Sequence, residues 1–190
     1  NDAENMKSLV LSKGGDDRLK HKVLASVFYE PSTRTSCSFQ AAMLRLGGSV
    51  VCVNEKDSSA FKGESIKDTT QTLASYCDAI VLRHPMKGAA DVAVSVSSKP
   101  VINAGDGTGE HPTQALLDLF TIKSELKKIG EDDIKKPKMV ITLLGDLKNG
   151  RTVHSLVRLL CLYPGVKIIY IAPSILTMPV EIINEINALG

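Results

Sequence analysis

The sequence has no excess of charge of either sign. Lys and Arg number 23 against 21 Asp and Glu, a formal net charge of +2. So even a balance gives no electrostatic footprint for nucleic acid or for an anionic membrane surface. There is no apolar run long enough to span a bilayer. The first residues, Asn1 to Asn5, have no signal-peptide character. Cysteine is sparse: Cys37, Cys52, Cys77 and Cys161 stand far apart, without the close pairs of a disulfide or zinc framework. They read as reduced core thiols of a cytoplasmic protein, and no metal is expected. No internal repeat and no low-complexity tract is visible.

What remains is 190 residues, 43% apolar and 23% charged, enough for one good domain or two small ones. Strand and helix patterns alternate along it. Strands are predicted over 23–29, 49–53, 79–83, 100–103, 138–144 and 166–171. Helices are predicted over 2–12, from Ser32 or Thr33 to Arg45, and over 64–76, 88–96, 112–129, 151–162 and 180–189. Phe39, Ala42, Met43 and Leu46 recur at helical spacing and predict one buried face. Consecutive β-α units of this size imply an α/β protein with a doubly wound parallel sheet. The polar stretch 131–137 reads as a linker between a first domain, 1–130, and a second that begins at 138. The second has only two β-α units by residue 190, so a truncated chain is expected.

Two segments carry the chemistry. Ser32-Thr33-Arg34-Thr35 follows an apolar strand and opens an amphipathic helix. Backbone N–H groups, three hydroxyls, a guanidinium and the helix dipole suit an anion there. The plain alternative is an N-cap with spare hydroxyls. His111-Pro112-Thr113-Gln114 follows a glycine-rich loop and opens another helix. It offers an imidazole for a carbonyl oxygen and a carboxamide for an amide, while Thr113 is available as a cap. Arg83 ends a predicted strand, where open sheets line their ligand crevice. A phosphate contact, a carbonyl contact and an ordinary surface Arg all fit it. Arg151 opens a helix after Gly145-Asp146-Leu147-Lys148-Asn149-Gly150 and suits a carboxylate. That loop lacks the three-glycine dinucleotide fingerprint and the P-loop Lys-Ser/Thr. Lys62, in a polar loop with Ser58, reads by itself as solvated.

Taken together, these segments resemble the transcarbamoylase family, and within it aspartate transcarbamoylase. The segments are Phe28 to Thr35, Lys62-Gly63-Glu64-Ser65, Val81 to Pro85, Asn103 to Gly107, His111 to Asp118, and Gly145 to Ser155, in order along most of the chain. Ser36-Cys37 after Thr35 is similar to the domain of the animal multifunctional pyrimidine-synthesis protein. The resemblance implies a carbamoyl-phosphate-binding domain, followed by the start of a Rossmann-like aspartate-binding domain over 138–190. It implies transfer of the carbamoyl group of carbamoyl phosphate to the amino group of L-aspartate, in pyrimidine biosynthesis, without a cofactor.

Residue by residue, it implies Thr35, Arg83 and His111 on the carbonyl oxygen, and Ser32, Thr33, Arg34, Thr35 and Arg83 on the phosphate. Gln114 would orient the carbamoyl NH2, and Arg151 would hold an aspartate carboxylate. Glu30 would pair with Arg151 as the site closes. Ser58 and Lys62 would reach into the active site of a neighbouring subunit, Lys62 with a catalytic role there, which implies a homotrimer. Fusion to carbamoyl phosphate synthetase and dihydroorotase is compatible with the resemblance. The family's later aspartate-binding loop and C-terminal helix have no counterpart here, so ligand binding with little turnover is expected of these 190 residues alone. The alternatives are ornithine transcarbamoylase, a non-catalytic oligomerisation or carbamoyl-phosphate-binding fragment, and a generic phosphate-binding α/β domain.

Overall fold

A computed structural model describes residues 2–129 and 139–189. Its contacts divide the chain into two units, Asn1–Gly107 and Thr108–Gly190.

The first unit is a four-stranded sheet in the order β2-β1-β3-β4. Its strands are β1 (Val23–Phe28), β2 (Ser49–Asn54), β3 (Ala79–His84) and β4 (Val101–Asp106), all pairing in parallel. Helices α1 (Asp2–Lys13), α2 (Thr33–Arg45), α3 (Ile66–Tyr76) and α4 (Ala89–Val96) accompany them. The two central strands read as near-continuous apolar runs because both their faces are covered. Alternate side chains enter opposite layers. Leu24, Phe28 and Val81 pack with Phe39 and Met43 of α2. Ala25, Val27, Ile80 and Leu82 pack with Leu73 and Ala74 of α3 and Ala93 of α4. Ile80 and Val81 are 1% and 0% exposed, and burying each side chain contributes roughly 1.5–3 kcal/mol.

The second unit holds α5 (Pro112–Lys128), β5 (Val140–Leu144), α6 (Arg151–Leu160), β6 (Lys167–Ile171) and α7 (Val180–Leu189). β5 and β6 pair in parallel. Ala115 and Leu119 of α5 join Leu156 and Leu160 of α6 in one cluster. Leu147, Val157, Met178 and Ile182 form a second.

The α/β reading and the doubly wound parallel sheet hold. Several local expectations change. β4 runs three residues beyond Asn103, through Gly105 at φ +117°. α3 starts at Ile66, because Ser65 caps it: its Oγ accepts the Asp68 N–H at 3.2 Å. Ala42 is exposed, at the margin of the apolar stripe of α2. Cys37 and Cys52 are exposed and Cys161 is half-buried, so only Cys77 is a core thiol. α5 groups by contact with the second unit rather than the first. The expected linker 131–137, and Lys138 at the start of the next predicted strand, lie outside the described residues. No described helix is long and apolar enough to cross a membrane.

Candidate active site

The sheet order fixes where a ligand would sit. From β1 the chain goes to β2 on one side, then crosses back to β3 on the other. The crevice outside the carboxyl ends of β1 and β3 is therefore a topological switch point, the place where open α/β sheets bind ligands. Segment 30–35 leaves β1 there, and Arg83 lies near the end of β3, in register with Phe28.

The first turn of α2 is built of donors. Its first intrahelical bond runs from the Ser36 N–H to the Ser32 carbonyl at 3.0 Å, which leaves the N–H groups of Thr33, Arg34 and Thr35 before it. Ser32 occupies the N-cap position, but its side chain makes no capping bond. The hydroxyls of Ser32, Thr33 and Thr35 and the Arg34 guanidinium have no hydrogen-bond partner among the described residues. Ser32 and Thr35 are half-buried, Thr33 and Arg34 exposed. An ordinary N-cap would show a hydroxyl closed onto N2 or N3. Here neither Ser32 nor Thr33 caps with its side chain.

Beside it stands a buried cation. Arg83 is 8% exposed. It pairs through Nη2 with the Glu30 carboxylate and donates through Nη1 to the Ala104 carbonyl at 3.4 Å. Its Nε is buried with no partner among the described residues. A buried N–H left unpaired is costly. His84, the next residue, packs edge-on against Tyr29 with ring centroids 5.3 Å apart. Its Nδ1 accepts the Met86 N–H at 2.9 Å, and burial lowers its pKa, partly offset by Glu55. Gly107 closes this corner at φ +54°, its N–H donating to the His84 carbonyl at 2.8 Å. A Cβ at that position would collide with the Pro85 carbonyl.

Two short 3-10 turns, Glu55–Asp57 and Ser59–Lys62, occupy the segment expected to be a plain loop; Ser58 joins them and Lys62 ends the second. Lys62 is exposed with no partner among the described residues, next to a Phe61 that is 76% exposed. Ser58 Oγ donates to the Glu55 carbonyl at 3.2 Å.

The second unit carries the remaining candidates. His111 is the N-cap residue of α5, 6% exposed, with Pro112 in the first turn. Thr113, expected as a cap, instead brings its Oγ1 to 3.4 Å from His111 Nδ1. Gln114 donates its Nε2 to Asp118 at 2.9 Å. That fixes the amide orientation and leaves its oxygen as the acceptor an NH2 group requires. Arg151 opens α6, half-buried, after Gly150. The loop before it is an Asx turn. Asp146 accepts the N–H groups of Lys148 and Asn149 at 3.1 and 2.9 Å, and these bonds, that of Asn149 foremost, lower its pKa.

Ser32 to Thr35 and Glu30 follow the carboxyl end of β1 and Arg83 lies near that of β3, where Arg83 and Glu30 pair. His111, Gln114 and Arg151 begin the two helices that pack together in the second. Glu30 is paired with Arg83, a partner the sequence did not suggest. Two residues were given no role by the sequence: Ser155, whose Oγ accepts the His111 N–H at 2.9 Å, and Glu110, which accepts the Ser155 hydroxyl. A signal existed, since Glu110 precedes His111 and Ser155 follows Arg151 by one helical turn.

Residues 1–124 match the family model described as aspartate/ornithine carbamoyltransferase, carbamoyl-P binding domain. The chain is 61% identical over 188 residues to a multifunctional protein, pyr1-3, of Dictyostelium discoideum, covering 99% of this chain and 8% of that protein. It is 51% identical over 189 residues to the aspartate carbamoyltransferase catalytic subunit of Methanopyrus kandleri, covering 99% of this chain and 58% of that subunit. Among solved structures, aspartate transcarbamoylase of Trypanosoma cruzi in complex with carbamoyl aspartate and phosphate superposes with a TM-score of 0.89 at 43% identity. That match covers 98% of this chain and 58% of the other. The chain therefore spans a small part of the multifunctional relative and a little over half of the single-function ones.

Proposed function

The chain belongs to the aspartate/ornithine carbamoyltransferase family, and from that premise we propose that it serves carbamoyl transfer from carbamoyl phosphate to L-aspartate, a step of pyrimidine biosynthesis. The observation that carries this reading is the unsatisfied donor cluster at the β1/β3 switch point. The hydroxyls of Ser32, Thr33 and Thr35 and the Arg34 guanidinium at the first turn of α2 have no partner among the described residues, and neither has the buried Nε of Arg83.

In this reading Ser32, Thr33, Arg34, Thr35 and Arg83 hold the phosphate. Thr35, Arg83 and His111 donate to the carbonyl oxygen, and Gln114 accepts from the carbamoyl NH2. Arg151 takes a carboxylate of aspartate. The α-amine of aspartate attacks the carbonyl carbon, a C–N bond forms, and negative charge develops on the carbonyl oxygen, where fixed donors stabilise it. The bond from carbon to the phosphate oxygen then breaks, and the leaving phosphate carries away the amine proton. Holding two substrates in contact supplies much of the rate. Glu30, freed from Arg83 as phosphate binds, pairs with Arg151 when the site closes.

Ser58 and Lys62 act in a neighbouring subunit of a homotrimer, a role consistent with an exposed Lys62 that has no partner among the described residues. The first domain runs over 1–130 and the aspartate-binding part over 138–190, in keeping with a family match that reaches residue 124. Fusion to carbamoyl phosphate synthetase and dihydroorotase fits the chain's likeness to multifunctional relatives, and the reading places the enzyme in the cytoplasm.

The test is a carbamoyl-transfer assay on the intact protein, with aspartate and with ornithine as acceptors. Carbamoyl aspartate formation that disappears in the His111→Ala variant is expected. Transfer to ornithine, or full activity without His111, contradicts the proposal. For the shared site, mixing inactive Lys62→Ala and inactive His111→Ala proteins, then letting subunits exchange, is expected to restore part of the activity.

A further inference from the structure

Arg158 lies on α6 about two helical turns beyond Arg151 and belongs to none of the motifs above. It is the centre of a charge cluster within the second unit. Its Nε and Nη2 donate to the two carboxylate oxygens of Glu185 on α7, both at 2.8 Å. Its Nη1 donates to Glu110, at the threshold of α5. The Glu185 carboxyl is held below its usual range by this guanidinium, and Arg158 is held above its own, chiefly by the hydrogen bonds to Glu185. Glu110 in turn accepts the Ser155 hydroxyl, and Ser155 accepts the backbone N–H of His111. His111 and Ser155 are both buried, at 6% and 5% exposure.

We propose that Arg158 is a positioning residue for His111. The chain Glu185–Arg158–Glu110–Ser155 fixes the backbone at the start of α5, and with it the direction from which the imidazole donates. Three features support this. All three guanidinium nitrogens are engaged, two on Glu185 and one on Glu110, so Glu110 is restrained by Arg158 and Ser155 together. Every group in the chain has a defined donor or acceptor role. The end of the chain is also a main-chain atom of His111, so the restraint acts on the imidazole's mounting rather than on its proton. A hydroxyl between a carboxylate and an N–H is polarised by both, which strengthens each bond. Misplacing a donor to the carbonyl oxygen by a fraction of an ångström weakens stabilisation of the transition state more than ground-state binding.

The catalytic consequence rests on the function proposed above; the structural one does not. The experiment therefore has two readouts on the intact protein. In the amide NMR spectrum of 15N-labelled protein, the His111 N–H is expected to shift and to exchange faster with solvent in Arg158→Met and in Ser155→Ala. Glu185→Gln, which leaves Arg158 on Glu110, is expected to move it little. In the transfer assay, Arg158→Met is expected to lower kcat by about tenfold with KM for carbamoyl phosphate nearly unchanged. Arg158→Lys, which keeps the charge but not the fork, is expected to recover part of that loss. An unmoved His111 amide in Arg158→Met overturns the proposal whatever the activity does. A moved amide with unchanged kcat overturns its catalytic part. A wild-type protein that transfers no carbamoyl group contradicts the function, while the amide result still decides the positioning role.

Discussion

Arg83→Met separates the two roles a buried arginine can have. In the ligand-free protein the substitution removes the charge-assisted contact to Glu30, worth about 1.5–3 kcal/mol. It also removes the buried Nε–H that lacks a partner, a group whose desolvation costs about 1–3 kcal/mol. Met follows the same stem volume, and the Glu30 side chain, 29% exposed, can turn to water. The two effects oppose, as they do when buried ion pairs are exchanged for apolar residues. The expected change in stability is within about 1 kcal/mol of zero by urea denaturation. Ligand binding has no such offset. Losing two charge-assisted N–H bonds to an anion removes about 3 kcal/mol or more, an affinity loss of at least about a hundredfold. Calorimetry with N-(phosphonacetyl)-L-aspartate, beside the urea curves, measures both. A variant that loses more than about 3 kcal/mol of stability yet binds the phosphonate as tightly as wild type would refute the reasoning.

Two N-terminal serines offer a matched comparison. Ser65→Ala loses a real cap on α3 and is expected to destabilise by about 1 kcal/mol, whereas Ser32→Ala on α2 is expected to cost only a few tenths while weakening anion binding; urea curves and calorimetry check the pair. Gly107→Ala is strained at φ +54° and meets the Pro85 carbonyl, so a loss of about 1–3 kcal/mol in thermal or urea unfolding is expected. Burial holds the His84 pKa down, so the unfolded chain takes the proton first. Its contribution is complete above about pH 6.5 and is lost as pH falls through the lower folded value. His84→Asn, which keeps an acceptor for Met86, is expected to flatten the stability slope over that range.

The sheet was legible because its central strands are buried on both faces, so Val23–Phe28 and Ala79–His84 show as unbroken apolar runs. The donor-rich start of α2 was legible because hydroxyls, Arg and a helix start lie within four residues. Long-range pairings were not. Glu30 and Arg83 are far apart in sequence, and only the parallel register of β1 with β3 brings them together. The end of β4 was missed because Gly105 reads as loop, while tertiary pairing carries the strand on to Asp106, which is buried and accepts the Gly88 N–H at 2.8 Å. Arg158 drew no attention in the sequence, since nothing local marks Glu110 and Glu185 as its partners. The burial of Cys37 and Cys52 was overestimated because apolar neighbours in sequence do not decide which way a thiol turns on a helix or on an edge strand.

The most direct measurement is a crystal structure of the intact protein with N-(phosphonacetyl)-L-aspartate. The expected result is a phosphonate seated on the first turn of α2, within hydrogen-bond distance of Ser32, Thr33, Arg34, Thr35 and Arg83, with His111 on the carbonyl oxygen. A phosphonate bound elsewhere, with Arg83 still closed onto Glu30 and the hydroxyls of α2 left in solvent, would contradict the account.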